Sequence, residues 1–340
     1  MKVLLLVLFV CFVTAFQACK DSGINNPVDQ SNINLVSVYS TNASTNGVYV
    51  TPINLRDYAL IADGTNGLQV VDITLINQPD SISSYDTDGN ANDVTAAFVN
   101  GDLYTFISDY DNGFVVLDID NPSNPFLIGT ILVTGFVNTS FIDQSNKLAY
   151  IAMESGQIQV YDISQLPDQP TFVSSIPIGS SGINGLYLSG NYLYAAAGNN
   201  GLAVIDVTNP ANPQLSNVFN TSGVASDVTV NGGYAYVADS YNGMLILDVT
   251  NPQSPVYKSK FTGTGQILGI FANNNNVFCA DNTYGIENVN VSNASSPNKV
   301  GYIQTNSSAN NIFYSGGYIF LAAAEGGLGI YQPTSSLDNR

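Results

Sequence analysis

The sequence predicts an all-β fold, a seven-bladed β-propeller of four-stranded antiparallel blades, and three observations carry that prediction. A short segment recurs seven times, the stretches between recurrences hold only strand-like runs, and one spare strand stands ahead of the first repeat. GLQVVD, ending at Asp72, returns as GFVVLD (Asp118), QIQVYD (Asp162), GLAVID (Asp206), GMLILD (Asp248), GIENVN (Asn290) and GLGIYQ (Gln332), at spacings of 46, 44, 44, 42, 42 and 42 residues. Periods of about 40 to 45 built from short strands correspond to one blade per repeat.

Blade five is the clearest unit. Asp227-Val-Thr-Val230 reads as strand a, Tyr234 to Ala238 as b, Met244 to Val249 as c, and Val256 to Phe261 as d. Each run is rich in β-branched and aromatic residues and is bounded by Gly, Asn or Pro, and no stretch of the mature chain shows a helical period. The seventh set of a, b and c strands ends at Tyr331, with only a polar tail beyond, so its d strand is missing. Asn34-Leu-Val-Ser-Val-Tyr39 resembles the d strand Pro125 to Gly129. It is expected to pair with Leu328 to Tyr331, closing the ring and covering two edges that would otherwise invite aggregation.

The segments GLAVIDVTNPANP (201–213) and GFVVLDIDNPSNP (113–125) resemble the LVIVD repeat, a propeller family of bacterial and archaeal surface proteins. The resemblance spans nearly all of residues 34–331. It is specific in blades one, two, four and five, blurred in three and six, and cut short in seven. It implies the fold and an extracytoplasmic location, and supplies no catalytic residue to carry over.

The N-terminus reads as an address. Met1-Lys2 and the apolar run Val3 to Phe16 form the charged and hydrophobic regions of a signal peptide, too short to span a bilayer permanently. Phe16-Gln17-Ala18-Cys19 resembles a lipobox, with Phe16 where Leu is usual, which makes Cys19 the expected lipid attachment site. Lys20 and Asp21 resemble the surface-export signal of Bacteroidetes-type lipoproteins. The domain plan is therefore a lipoprotein signal peptide (1–18), a polar tether (19–33), the propeller (34–332) and a polar tail (333–340), with the outer membrane or cell surface as destination. Cys11 and Cys19 fall outside the folded part, so Cys279 is alone there and is expected to pack as a small apolar residue.

Composition narrows the chemistry. Hydrophobic residues make up 45% of the chain against 10% charged, which allows a large core under an uncharged polar skin. The net charge of −18 makes nucleic acid and anionic lipid poor partners, because phosphate affinity comes largely from Lys and Arg. Membrane contact is expected only through the N-terminal lipid, and the propeller is expected to be monomeric. Histidine is absent, which excludes Ser-His-Asp, Cys-His and HExxH chemistries.

In a blade, the b–c and d–a connections emerge on one face. The b–c turns there begin at Asp63, Asp109, Asp239 and Asp281, with Asp111, Tyr110, Tyr241 and Tyr284 inside them. The d–a stretch Asp86-Thr-Asp-Gly-Asn-Ala-Asn-Asp93 lies on the same face. Asp86, Asp88, Asn90 and Asp93 offer hard oxygen ligands on one loop, making Asp86, Asp88 and Asp93 the candidate Ca²⁺ ligands, although no cofactor is required. The competing reading of the turns is local: Asp caps its own backbone and Gly supplies positive φ. The expected function is a non-enzymatic, surface-exposed binding module for a protein or carbohydrate. The alternatives are an envelope scaffold and a carboxylate-only glycoside-processing enzyme. A channel pair such as Asp93 with Asp227 would favour the enzyme, though the longer a strand of blade two leaves their alignment open.

Overall fold

The computed structural model describes residues 32–334. It holds seven sheets of four antiparallel strands, and six take their strands in sequence order from a to d. Blades one to six span residues 47–85, 91–131, 137–177, 185–219, 227–261 and 267–303. The a strands of successive blades contact one another, so they form the inner wall of the ring. Blade seven combines Asn311–Ser315, Tyr318–Ala323 and Gly327–Pro333 with the N-terminal strand Ile33–Tyr39.

The N-terminal strand takes the place the sequence assigns it. Leu35 pairs with Tyr331, Val38 with Gly329 and Tyr39 with Leu328. The register slips between Leu35 and Ser37, as it slips in the c–d pairs of the other blades, at Val70/Val71, Val116/Leu117 and Val204/Ile205 for example. A bulge bends and twists a strand, so the borrowed strand reproduces the curvature of the d strand it replaces.

The bulge also presents a donor to the next blade. Ser37 Oγ donates to the Ile76 carbonyl, Ser83 Oγ to Pro122, Ser174 Oγ to Pro210 and Ser259 Oγ to Ala294, at 2.5–2.6 Å. Gly129 and Gly301 stand at this position in blades two and six and have no hydroxyl to offer. There the donor comes back from the following blade, Gln169 Nε2 to the Ile128 carbonyl and Asn32 Nδ2 to that of Val300. A Cβ at Gly129 would collide with the Gln169 amide, so the glycine and the reversed bond belong together.

Seven hydrophobic clusters each fill one gap between neighbouring blades, the last joining Phe320, Leu328 and Ile330 of blade seven to Val48, Ile61 and Val71 of blade one. Each fully buried aliphatic or aromatic side chain contributes on the order of 1.5–3 kcal/mol. Cys279 packs in one such gap beside Ile267 and Val289, and burial pushes its thiol pKa well up.

The Asp that ends the repeat segment holds the c–d turn. Asp118, Asp162, Asp206 and Asp248 each accept the backbone N–H two residues on. Hydrogen bonds from Thr208 and Thr250 hold Asp206 and Asp248 below the usual carboxylate range. This is Asx-turn chemistry and explains why the aspartate recurs with the repeat.

Candidate functional site

Every a strand is entered from a d–a connection, so all run in one direction and equivalent positions lie at equal depth. The b–c turns share that end of the ring: Gly64 bridges to Ala91, Gly198 to Ala225 and Ser240 to Ile267. The a strands enclose a cavity of about 760 Å³. Its outermost tier is Asn46, Asn92, Asn138, Asn184 and Asn310, with Ser226 and Leu268 in blades five and six. Four of these amides tie neighbouring blades together: Nδ2 of Asn46, Asn138, Asn184 and Asn310 donates to the carbonyls of Ala91, Ile183, Ala225 and Thr45.

One residue deeper the seven blades carry Gly47, Asp93, Thr139, Gly185, Asp227, Gly269 and Asn311. Asp93 pairs with Ser108 and Asp227 with Ala238, so the two acids hold the same register in blades two and five. Asp93 Oδ1 accepts Val94 N–H at 2.9 Å, and its Oδ2 accepts the Thr139 hydroxyl of blade three at 2.6 Å. Asp227 Oδ1 accepts Val228 N–H at 2.7 Å, and its Oδ2 accepts Ile270 N–H of blade six at 2.8 Å. Each carboxylate thus grips the next blade. The glycine before it makes room, since a Cβ at Gly185 would lie 2.8 Å from Asp227 Cα and one at Gly47 would lie 3.0 Å from Asp93 Cα.

Both acids face the channel yet sit deep in the ring. Burial raises the pKa of Asp93 against the bonds from Thr139, Val94 and Ser140. Burial pushes Asp227 up to about 7, with the charge of Asp93 adding to the effect and the backbone donors opposing it. Two residues beyond this tier the wall turns aromatic, with Tyr49, Phe141, Tyr187, Phe271 and Phe313, interrupted by Thr95 and Thr229. Tyr49 and Phe271 pack against Phe313 with centroids 5.0 and 5.2 Å away. Ser140, only 8% exposed on the channel wall, keeps a hydroxyl with no protein partner. Of the described basic residues Arg56, Lys147, Lys258, Lys260 and Lys299, none lines the cavity.

The other acids singled out from the sequence divide. Asp63, Asp109, Asp239 and Asp281 are buried beneath the face. Asp239 accepts the Thr221 hydroxyl at 2.6 Å and Asn242 Nδ2 at 3.2 Å. Asp63 accepts Asn66 Nδ2 at 2.8 Å, and Asp281 accepts Gly265 N–H at 2.7 Å beside Glu287, which Lys299 neutralises. Asp109 lies beside Thr87 and Asn112 without a well-formed bond to either carboxylate oxygen, and burial raises it to about 6. Asp63, Asp239 and Asp281 thus brace the loops of this face.

Loop 86–93 does not gather its acids. Exposed Asp86 accepts the N–H of exposed Asp88, which has φ 63°, Asp111 accepts Asn90 N–H, and Asp93 faces the channel. Among the described residues no group of three or more acids or cysteines is arranged to hold a metal ion. Tyr110 stacks on Phe136 at 4.5 Å, while Tyr241 is 78% and Tyr284 43% exposed. Cys19 and the leader lie outside the described residues. The amide and aromatic tiers were missed from the sequence, although Asn46, Asn92, Asn138 and Asn184 recur every 46 residues, each three positions before Tyr49, Thr95, Phe141 and Tyr187.

The chain carries LVIVD repeats: the family model of that repeat matches residues 55–87, 88–133, 184–221 and 222–263, which lie in blades one, two, four and five. No curated protein matches the chain. Solved structures match in fold. The computationally designed Ika8 protein is 11% identical with a TM-score of 0.60, covering 88% of this chain and 99% of that one. Saccharomyces cerevisiae Sqt1 is 10% identical with a TM-score of 0.65, covering 89% and 99%. A chain of a mitotic checkpoint complex is 11% identical with a TM-score of 0.70, covering 93% and 97%. Identities this low establish the propeller and nothing of its use.

Proposed function

We propose that the protein is a non-enzymatic binding module, lipid-anchored through Cys19 on the outside of the cell, that takes the end of a glycan or protein ligand into its central channel. The observation that carries this reading is the cavity, whose volume falls within the range of about 300–1,000 Å³ usual for ligand sites and whose wall combines apolar area with a few placed polar groups. The tether of residues 19–33 would hold this mouth off the membrane, and the reading needs no cofactor.

A second reading, a carboxylate-only glycoside-processing enzyme, draws on the same pair, because burial raises both acids, Asp227 to about 7, as a proton donor requires. Against it, every carboxylate oxygen of Asp93 and Asp227 already accepts a bond from the protein, three of the four from backbone N–H; these bonds oppose the upward shift from burial and leave no carboxyl oxygen uncommitted.

The test is retention of cell-envelope glycans and proteins on the immobilised chain from residue 20. Wild type is compared with a channel variant, Asp93→Asn with Asp227→Asn, and a rim variant, Asp86→Asn with Asp88→Asn. Retention lost only in the channel variant supports the reading, whereas loss confined to the rim variant overturns the location. Cleavage of a retained glycan would transfer the case to the enzyme. Anchoring is checked separately: Cys19→Ala should move the protein from the membrane to the soluble fraction.

A further inference from the structure

Resting on that reading, we infer that the channel takes an amino sugar, with a free ammonium group at Asp93 and Asp227 and the sugar's carbon face on the aromatic tier.

The electrostatics of the wall set the sign of the ligand. Asp93, Asp227 and, at the mouth, Glu154 are its charged residues, and no Lys or Arg faces them. Backbone N–H groups and Thr139 stabilise the two deep carboxylates partially, but no counter-ion completes them. An anionic ligand would meet only repulsion there, while an ammonium would supply the missing charge through charge-assisted hydrogen bonds in a desolvated setting.

The donor and acceptor inventory sets the rest. Asn46 and Asn310 each give one Nδ2 hydrogen to the neighbouring blade; Oδ1 of Asn46 accepts the Ser44 hydroxyl at 3.0 Å, and that of Asn310 stays open as an acceptor. With the carboxylates below, the site is acceptor-rich and suits a ligand rich in donors. Hydroxyls beside an ammonium meet that demand, and a lysine side chain, with its single ammonium, meets only half of it. Beneath, Tyr49, Phe141, Tyr187, Phe271 and Phe313 offer π faces that stack on the apolar face of a pyranose and attract a cation nearby.

The test is calorimetric titration of the chain from residue 20 with the β-1,4-linked disaccharide of glucosamine, its di-N-acetylated form, cellobiose and Nα-acetyl-lysine amide. The glucosamine disaccharide should bind at least tenfold more tightly than the other three, and Asp93→Asn or Asp227→Asn should each reduce that affinity at least tenfold. The selectivity of the wild type stands whether or not the variants fold. Equal binding of cellobiose or the acetylated sugar overturns the inference and leaves the channel-binding reading in place. Tighter binding of the lysine amide overturns it in favour of a protein ligand. If no probe binds and the channel variant still retains its envelope ligand, both readings fall.

Discussion

The buried carboxylates of the turns and those of the channel look alike in the sequence and do opposite work. Asp63 and Asp239 bond within their own turn, and Asp239 also holds Thr221 in the connection entering its own blade. Asp93 and Asp227 reach instead to the next blade, at Thr139 and Ile270, while facing open volume. The turn acid recurs at Asp63, Asp109, Asp239 and Asp281, whereas the channel acid occupies a position that other blades fill with Gly, Thr or Asn. In a repeat protein, a residue that follows the repeat serves the fold, and a residue that departs from it at a solvent-reaching tier marks where the blades have specialised.

Four variants separate the two sets, the largest effect first. Asp239→Ala strands the buried Thr221 and the half-buried Asn242 and should cost about 2–4 kcal/mol in denaturant melts, with ligand retention intact in the fraction that folds. Retention lost along with stability would erase the distinction. Gly185→Ala forces a Cβ against the Asp227 backbone, so it should cost about 1–3 kcal/mol and also weaken ligand binding by displacing that acid.

Asp227→Asn should change stability less at pH 5 and alter its pH dependence. The folded pKa of about 7 lies above the ordinary carboxylate value, so the folded state holds the extra proton between pH 4 and 7, and wild-type stability falls as pH rises through that window. The strands packed against Asp227 add no cation: their titratable groups are Tyr187, Tyr192, Tyr194, Tyr234 and Tyr236, and Asp93 reinforces the shift. The variant should flatten the slope of Tm between pH 5 and 8. An unchanged slope would mean that another group carries it. Smallest of all, Asp86→Asn with Asp88→Asn should stay within about 0.5 kcal/mol, with no difference between millimolar Ca²⁺ and EDTA, since both side chains are exposed and Asp86 only caps its own loop.

The ring was legible because its signals are local and periodic. A c strand ending in Asp before a proline turn repeats at a fixed interval, and the spare strand before it could go to only one place. The site was less legible for a physical reason. Asp93 and Asp227 could be paired as a hypothesis, but the bulge between Ala91 and Asp93 hides their common register, because it inserts a residue that strand counting cannot see. The turn acids suggested a charged rim because sequence reports that a turn contains Asp and not which way its carboxylate points. The aromatic tier was readable in principle through the spacing of Tyr49, Thr95, Phe141 and Tyr187, but aromatic residues in strands are ordinary core material, and only the topology places these on the axis.

The claim that the channel acids, and not the turn or rim acids, meet the ligand is tested most directly by a crystal structure of the chain from residue 20 soaked with the glucosamine disaccharide. Density is expected in the channel, with the ammonium within hydrogen-bonding distance of Asp93 and Asp227 and a pyranose face on the aromatic tier. Density on loop 86–93, or an empty channel at a concentration that saturates binding in solution, would contradict it.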